Sequence, residues 1–222
     1  MVVVIDYGMG NLFSIERTIK HLGADILISD NPETIISASH LILPGVGAFG
    51  DGMINLNERK LINPIKTFID SGKPLLGICL GMQLLMDSSE EFGFHRGLGI
   101  IPGSVKKLKA PLKDGKFFKI PHIGWSRIHL PAFLERKDNT GNGCEYWNKS
   151  IFESLPENNF AYFVHSFIVV PQAEKNILAE SEYGNDRFCA ALRQNNIFGC
   201  QFHPEVSGEV GLHILKEFLK LQ

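Results

Sequence analysis

A chain of 222 residues, 44% hydrophobic and 21% charged, has the composition of a globular protein with one large core or two small ones. Its formal net charge of -2 offers no basic surplus for nucleic acid or an anionic membrane, and no apolar run approaches the ~20 residues of a membrane span. The opening MVVVIDYGMGNL lacks a charged leader region and a small-residue cleavage site, so it reads as structural rather than as a signal peptide. Cys79, Cys144, Cys189 and Cys200 are too few and too irregularly spaced for a disulfide framework, and none belongs to a C-x-x-C pair. A reducing cytoplasm is the expected setting, with no metal and no other cofactor.

The first half alternates strand and helix signals. Val2-Val3-Val4-Ile5 is a short β-branched strand ending at Asp6 and the glycine turn Gly8-Met9-Gly10. Asn11 is placed to cap the next helix, in which Leu12, Ile15, Ile19 and Leu22 recur at helical spacing. Residues 24–28 read as a second strand, and Asn31-Pro32-Glu33 opens a short helix with proline in its first turn. Leu41-Ile42-Leu43 is a third strand, closed by Pro44-Gly45-Val46-Gly47. Helices are expected near residues 48–56 and 61–71, followed by a strand over 74–78 that leads into Cys79. Repeated β-α-β units with fully apolar strands imply a parallel sheet covered on both faces.

In the second half, residues 98–109 and 117–130 hold strand-like stretches broken by proline and glycine. Residues 131–159 are polar, centred on Asn139-Thr140-Gly141-Asn142-Gly143, and read as a surface excursion. Strand signals return at 160–170, 176–183, 187–193 and 197–202. A helix from about Gly208 then places Val210, Ile214, Leu215, Phe218 and Leu219 on one face. The expected architecture is one α/β domain over 1–222, its mainly parallel sheet flanked by helices and extended by an antiparallel portion.

The chemistry concentrates in two segments. In GICLGMQLL, at 77–85, a buried strand gives way to a helix at Cys79 between two glycines, the thiol counterpart of a nucleophile elbow. Glycine permits a turn too sharp for side chains, and a helix beginning at the sulfur favours thiolate through its free N–H groups and dipole. A lone cysteine otherwise more often fills a strand end as a small apolar residue. The second segment is Gln201-Phe202-His203-Pro204-Glu205, in which His203 leaves the end of an apolar strand. Ligands of an open α/β sheet meet the carboxyl ends of its strands, so Cys79 and His203 are expected to meet there. Glu205, two residues on, is spaced to hold the far ring nitrogen and turn the other towards the sulfur. Cys79, His203 and Glu205 thus form a candidate nucleophile, base and orienter.

GICLGMQLL with FHPE downstream resembles the class I, triad-type glutamine amidotransferases. Within that group DYGMGNL at 6–12, LPGVGAFGDGM at 43–53, KIPHIGW at 119–125 and YFVHSF at 162–167 are similar to the glutaminase subunits of imidazole glycerol phosphate synthases. The similarity covers nearly the whole chain and implies the flavodoxin-like fold of that class. The implied reaction is hydrolysis of L-glutamine to glutamate and ammonia, with acid–base help worth ~10²–10⁴-fold. The N–H of Leu80 is one candidate oxyanion donor. The resemblance sets a second in Gly45-Val46-Gly47, at Val46 or Gly47, after rotation of a peptide. It further implies substrate contacts at Gln83, His165 and Ser166, and a partner-facing surface at Asn11, Trp125 and Val206. That partner is a (β/α)₈-barrel cyclase, which receives the ammonia through its interior.

The chain departs from the family where Val206 stands in place of a usual lysine, where Ser126 replaces the asparagine after Trp125, and in a longer 131–159 segment. These changes spare the glutaminase residues and bear on the acceptor. They keep open a paralogous glutaminase that feeds ammonia to a sugar-modifying amidotransferase of surface-polysaccharide synthesis. Two other classes compete: a stand-alone cysteine peptidase or γ-glutamyl hydrolase, and a nucleotide- or flavin-binding module with Gly8-Met9-Gly10 around a phosphate. The last has a weak signal, because Phe13 occupies the place of the third glycine in G-x-G-x-x-G.

Overall fold

The computed structural model describes residues 1–109, 112–113, 116–135, 143–155 and 159–222. In the first half the elements are β1 (Val2–Ile5), α1 (Leu12–His21), β2 (Ile26–Ser29), α2 (Pro32–Ser37), β3 (His40–Leu43), α3 (Phe49–Glu58), α4 (Ile62–Asp70), β4 (Leu75–Ile78) and α5 (Leu80–Leu84). Then come the short strands β5 (Ser88–Ser89) and β6 (His95–Arg96), β7 (Gly103–Lys107), the pair β8 (Leu112–Lys113) and β9 (Lys116–Phe117), and β10 (His122–His129). After α6 (Ala132–Glu135) and α7 (Gly143–Tyr146) follow β11 (Phe160–His165), β12 (Phe167–Pro171), β13 (Ile177–Tyr183), β14 (Asp186–Gln194), β15 (Ile197–Cys200) and α8 (Gly208–Lys220).

Nine strands form one sheet in the order β11-β10-β13-β14-β15-β4-β3-β1-β2. From β15 to β2 every pairing is parallel, and from β15 to β11 every pairing is antiparallel, so β15 is the seam. Strands β1, β4 and β15 are buried at every residue because helices cover both faces of the parallel half. One face packs Ile15 and Ile19 of α1 and Ile214 and Phe218 of α8 against Phe163, Phe198 and Phe202. The other packs Ile35, Phe49, Leu56, Ile65 and Phe68 of α2–α4 against Val3, Leu41 and Leu75. A second sheet, β12-β7-β5-β6, flanks this body.

Two expectations change. The stretch 160–170 is two strands rather than one: β11 joins the large sheet, and after Ser166 the chain crosses to the small sheet as β12. The break costs ladder hydrogen bonds, but it brings Ser166 to the rim of the cavity described below. The 131–159 segment is also more than a surface excursion. Its polar centre at 139–142 lies outside the described residues, but Ile151 and Phe152 are fully buried in the main core. Trp147 Nε1 donates to the Leu178 carbonyl at 2.9 Å, and the Tyr146 hydroxyl to that of Ile177 at 2.8 Å, fastening the segment to β13. The sparse apolar residues of this stretch carry no period, so their inward anchoring was hidden.

Phe152→Ala is expected to lower the unfolding free energy by about 3–5 kcal/mol in urea titration, as for other buried aromatic truncations. A loss within about 0.5 kcal/mol, typical of surface positions, would contradict the anchoring.

Candidate active site

Strand β4 ends at Ile78, and Cys79 turns into α5 with φ 53° and ψ -108°, a left-handed backbone rare outside glycine. The neighbours make the turn possible. A Cβ on Gly81 would collide with the Leu43 carbonyl, and one on Gly77 would lie 2.8 Å from the Gly81 oxygen and the Met82 nitrogen. The Cys79 N–H donates to the Cys200 carbonyl at 2.7 Å, tying the elbow to β15. The elbow is thus where the glycine spacing sets it. The expected helix-dipole help is small, however. Helix α5 spans five residues, and its first N–H, of Leu80, is already bonded to the Gly45 carbonyl at 3.3 Å.

His203 follows β15 as Cys79 follows β4, and the two strands are parallel neighbours with Cys200 beside Ile78. Imidazole and sulfur border the same cavity and are close enough for the sulfur to favour a charged ring. His203 Nδ1 lies 2.8 Å from Glu205 Oε1, whose side chain is 1% exposed. Burial is the strongest single influence on the ring and disfavours its charge. The hydrogen bonds and charges of Cys79 and Glu205 together outweigh it and raise the pKa to about 10. The Ser207 hydroxyl donates to the His203 carbonyl and receives the Tyr162 N–H, which holds the backbone of this turn.

Cys79 and His203 face a cavity of about 240 Å³ whose wall also includes Val46, Gly47, Leu80, Gln83, Glu91, His165 and Ser166. All the residues expected to attack, to stabilise an oxyanion or to touch substrate, apart from the orienter Glu205 behind the ring, therefore border one space. Their availability differs. Gln83 Nε2 donates to the Phe167 carbonyl and to Gln201 Oε1, both at 3.1 Å. His165 has both ring nitrogens committed, Nδ1 to the Phe167 carbonyl at 3.0 Å and Nε2 to His122 Nδ1 at 3.1 Å. Its ring borders the cavity with no free nitrogen, so any polar contact it offers a substrate comes from its backbone. Burial keeps both rings neutral, lowering His165 to about 3, with help from neighbouring His122, and His122 to about 4.

The loop Pro44–Gly47 lies against the elbow. The Tyr7 hydroxyl holds the Pro44 carbonyl at 2.7 Å, and Gly47 has φ +106°. Sequence reading missed Glu91, whose Oε2 accepts the Phe49 N–H at 2.7 Å at the start of α3, where Ala48 offers no side-chain cap. It also missed His122 and Gln201. His122 stands inside IPHIGW and Gln201 two residues before His203, so only membership of those segments pointed to them.

Of the expected partner-facing residues, Trp125 is 55% exposed and neighbours Ile123 and Val164, also exposed, across the β10–β11 pair. Val206, 42% exposed, borders a groove with Phe13, Arg17 and Glu205. Asn11 caps α1, its side chain accepting the Ser14 N–H at 3.4 Å. In the glycine turn at 8–10, Asp6 Oδ1 takes the Gly8 N–H at 3.0 Å, and a Cβ on Gly10 would lie 3.1 Å from the Pro44 ring. No helix among the described residues is long and apolar enough to cross a membrane.

A buried thiol beside a carboxylate-held imidazole, at the strand ends of a half-parallel sheet, defines a class of amide-cleaving proteins. Residues 3–221 match the family "Glutamine amidotransferase class-I", and the chain belongs to it. A structure described as glutamine amidotransferase superposes with a TM-score of 0.66 at 17% identity, covering 98% of this chain and 99% of that one. PurLQS from Thermotoga maritima does so with 0.67 at 20%, covering 98% and 96%. The chain is 46% identical over 220 residues to "Imidazole glycerol phosphate synthase subunit HisH 1" of Legionella pneumophila strain Lens, covering 99% of each. It is 42% identical over 221 residues to "Imidazole glycerol phosphate synthase subunit HisH" of Bacillus subtilis strain 168, covering 100% of this chain and 96% of the relative.

Because the folded pKa of His203 lies above the ordinary value of 6.5, its contribution to stability is complete below that pH and fades as pH rises towards 10. NMR titration should find the ring protonated through neutrality. In Glu205→Gln the midpoint should fall by at least about one unit. An unmoved midpoint would separate the carboxylate from the ring's charge.

Proposed function

We propose that this chain is the glutaminase subunit of an imidazole glycerol phosphate synthase, cleaving L-glutamine and passing ammonia to a (β/α)₈-barrel cyclase. The observation that carries the reading is His203 set between the Cys79 sulfur and the Glu205 carboxylate beside a cavity of about 240 Å³. The names of the relatives support the pathway.

In the proposed mechanism, glutamine lies with its side-chain amide over Cys79 and its α-ammonium towards the Glu91 carboxylate. The sulfur, as thiolate, attacks the carboxamide carbon, and the carbonyl π pair moves onto oxygen. His203 gives its Nε2 proton to the leaving nitrogen as the C–N bond breaks, releasing ammonia and leaving a γ-glutamyl thioester. A water loses a proton to the neutral imidazole and attacks the thioester. The C–S bond breaks, glutamate departs, and the imidazolium–thiolate pair is restored. Glu205 holds Nδ1 throughout, so that Nε2 always faces the sulfur.

The oxyanion donors explain how the site is kept idle. The Leu80 N–H is spent on the Gly45 carbonyl. Rotating the Gly45–Val46 peptide about its flanking bonds would withdraw that carbonyl and turn the Val46 N–H inward, supplying two donors in one movement. Gly45 and Gly47 make such a rotation cheap. Loss of one such donor costs ~10²–10³ in turnover elsewhere, so the resting arrangement holds hydrolysis low until a docked barrel shifts the loop. Val164 at the cavity and the exposed Ile123 and Trp125 on the paired strand suit that docking, and a sealed passage spares ammonia from protonation in water.

Glutamate release should be slow for the chain alone and rise at least ~10²-fold with the barrel cyclase and its acceptor nucleotide. Cys79→Ala should remove it in every condition. Fast partner-free turnover would defeat the idle-loop account. No stimulation by the histidine-pathway cyclase would redirect the assignment to the polysaccharide paralogue.

A further inference from the structure

Gln201 is fully buried beside Cys79, in a place where an apolar side chain of equal length would fill the space without a desolvation cost. Its orientation follows from one atom. The Phe167 carbonyl oxygen can only accept, so the Gln83 atom 3.1 Å away is the amide nitrogen. That nitrogen's second hydrogen points at Gln201, also at 3.1 Å, so the Gln201 atom facing it is oxygen. The Gln201 nitrogen is thereby turned to the Cys79 sulfur, 3.7 Å away. The Val164 carbonyl lies 3.8 Å from the same sulfur and can accept only from a neutral thiol. The amide favours the thiolate and the carbonyl favours the thiol.

We propose that Gln201 is a positioning residue for the nucleophile: its amide, aimed from the Phe167 carbonyl through Gln83, donates to the Cys79 sulfur and links the substrate-facing glutamine to the attacking atom. The proposal deepens the glutaminase reading and rests on it for its effect on turnover. Its effect on the sulfur does not. A hydrogen bond to an ionised acceptor is roughly twice as strong as one between neutral groups, so the amide discriminates between the protonation states. Gln83 thus has two tasks. Its side chain borders the cavity, and its nitrogen fixes which end of Gln201 meets the sulfur.

The test uses the full chain. Alkylation of Cys79 by iodoacetamide is followed from about pH 5 to about pH 10 by mass spectrometry of its peptide, since thiolate is the reacting form. Cys189 and Cys200 do not compete, because burial pushes both thiols well up. The titratable groups around the sulfur are His203 with Glu205 behind it, His165, Glu91 and Tyr7, and all stay in place in the variants. Gln201→Met should move the alkylation midpoint up by about one pH unit. Gln83→Met should move it the same way by less, and the double variant should match Gln201→Met alone, as for links of one chain. With the barrel partner, Gln201→Met should lower kcat about tenfold, the factor that one pH unit represents. An unchanged midpoint in Gln201→Met, or additive shifts, overturns the proposal. If Gln201→Met does not fold, an unchanged midpoint in Gln83→Met does so. A wild-type chain that releases no glutamate with any barrel partner refutes the glutaminase reading instead, and the alkylation result still decides whether Gln201 serves the sulfur.

Discussion

The backbone of Cys79 is the constraint from which the site follows. Its left-handed conformation costs on the order of 1–3 kcal/mol and persists only where the surroundings over-determine it. Here they do. Strand β4 is held between β3 and β15, the Cys79 N–H is bonded to Cys200, and bare glycines at 77 and 81 let the chain pass against Leu43 and return into α5. Relaxing the turn would swing the sulfur away from His203. The fully buried central strands supply the rigidity that stores this strain.

Two histidines at one cavity have opposite characters, and packing explains why. His203 and His165 are both buried, which by itself favours neutral rings. His203 is backed by a carboxylate and faces a sulfur that can carry charge, so it holds a proton. His165 is backed by a carbonyl and faces another imidazole, so it does not. Its Nδ1–H must donate to the Phe167 carbonyl. His122 then donates to it and accepts from the Ser126 hydroxyl at 3.0 Å. The cavity therefore has one cationic ring, beside the atom that benefits from it, and a neutral wall opposite.

What could be read from the chain was whatever local order encodes. The β-α alternation, the elbow between two glycines and the carboxylate two residues beyond His203 all depend on neighbours in sequence. Relations set by long-range register could not be read that way. His122 meets His165 because β10 and β11 pair antiparallel with those residues opposite one another. Gln201 meets Gln83 because β15 lies beside β4. Glu91 reaches the start of α3 across a loop, and the division of 160–170 at Ser166 reflects two sheets competing for one apolar run. The exposed apolar residues around Trp125 read the same in sequence whether they face water or the core. The fold distinguishes them.

The seam at β15 also bears on how this protein can vary. The two reacting groups leave adjacent parallel strands whose register sets Ile78 beside Cys200. Between those strands, β14 and β11 brace β15 and the His203 turn, while the other connections hang from the outer part of the sheet. Insertions or deletions there alter the outline that a companion meets while sulfur and imidazole keep their spacing. A lineage can thus remodel its docking outline, and so change the recipient of its nitrogen, without reinventing the chemistry that frees it.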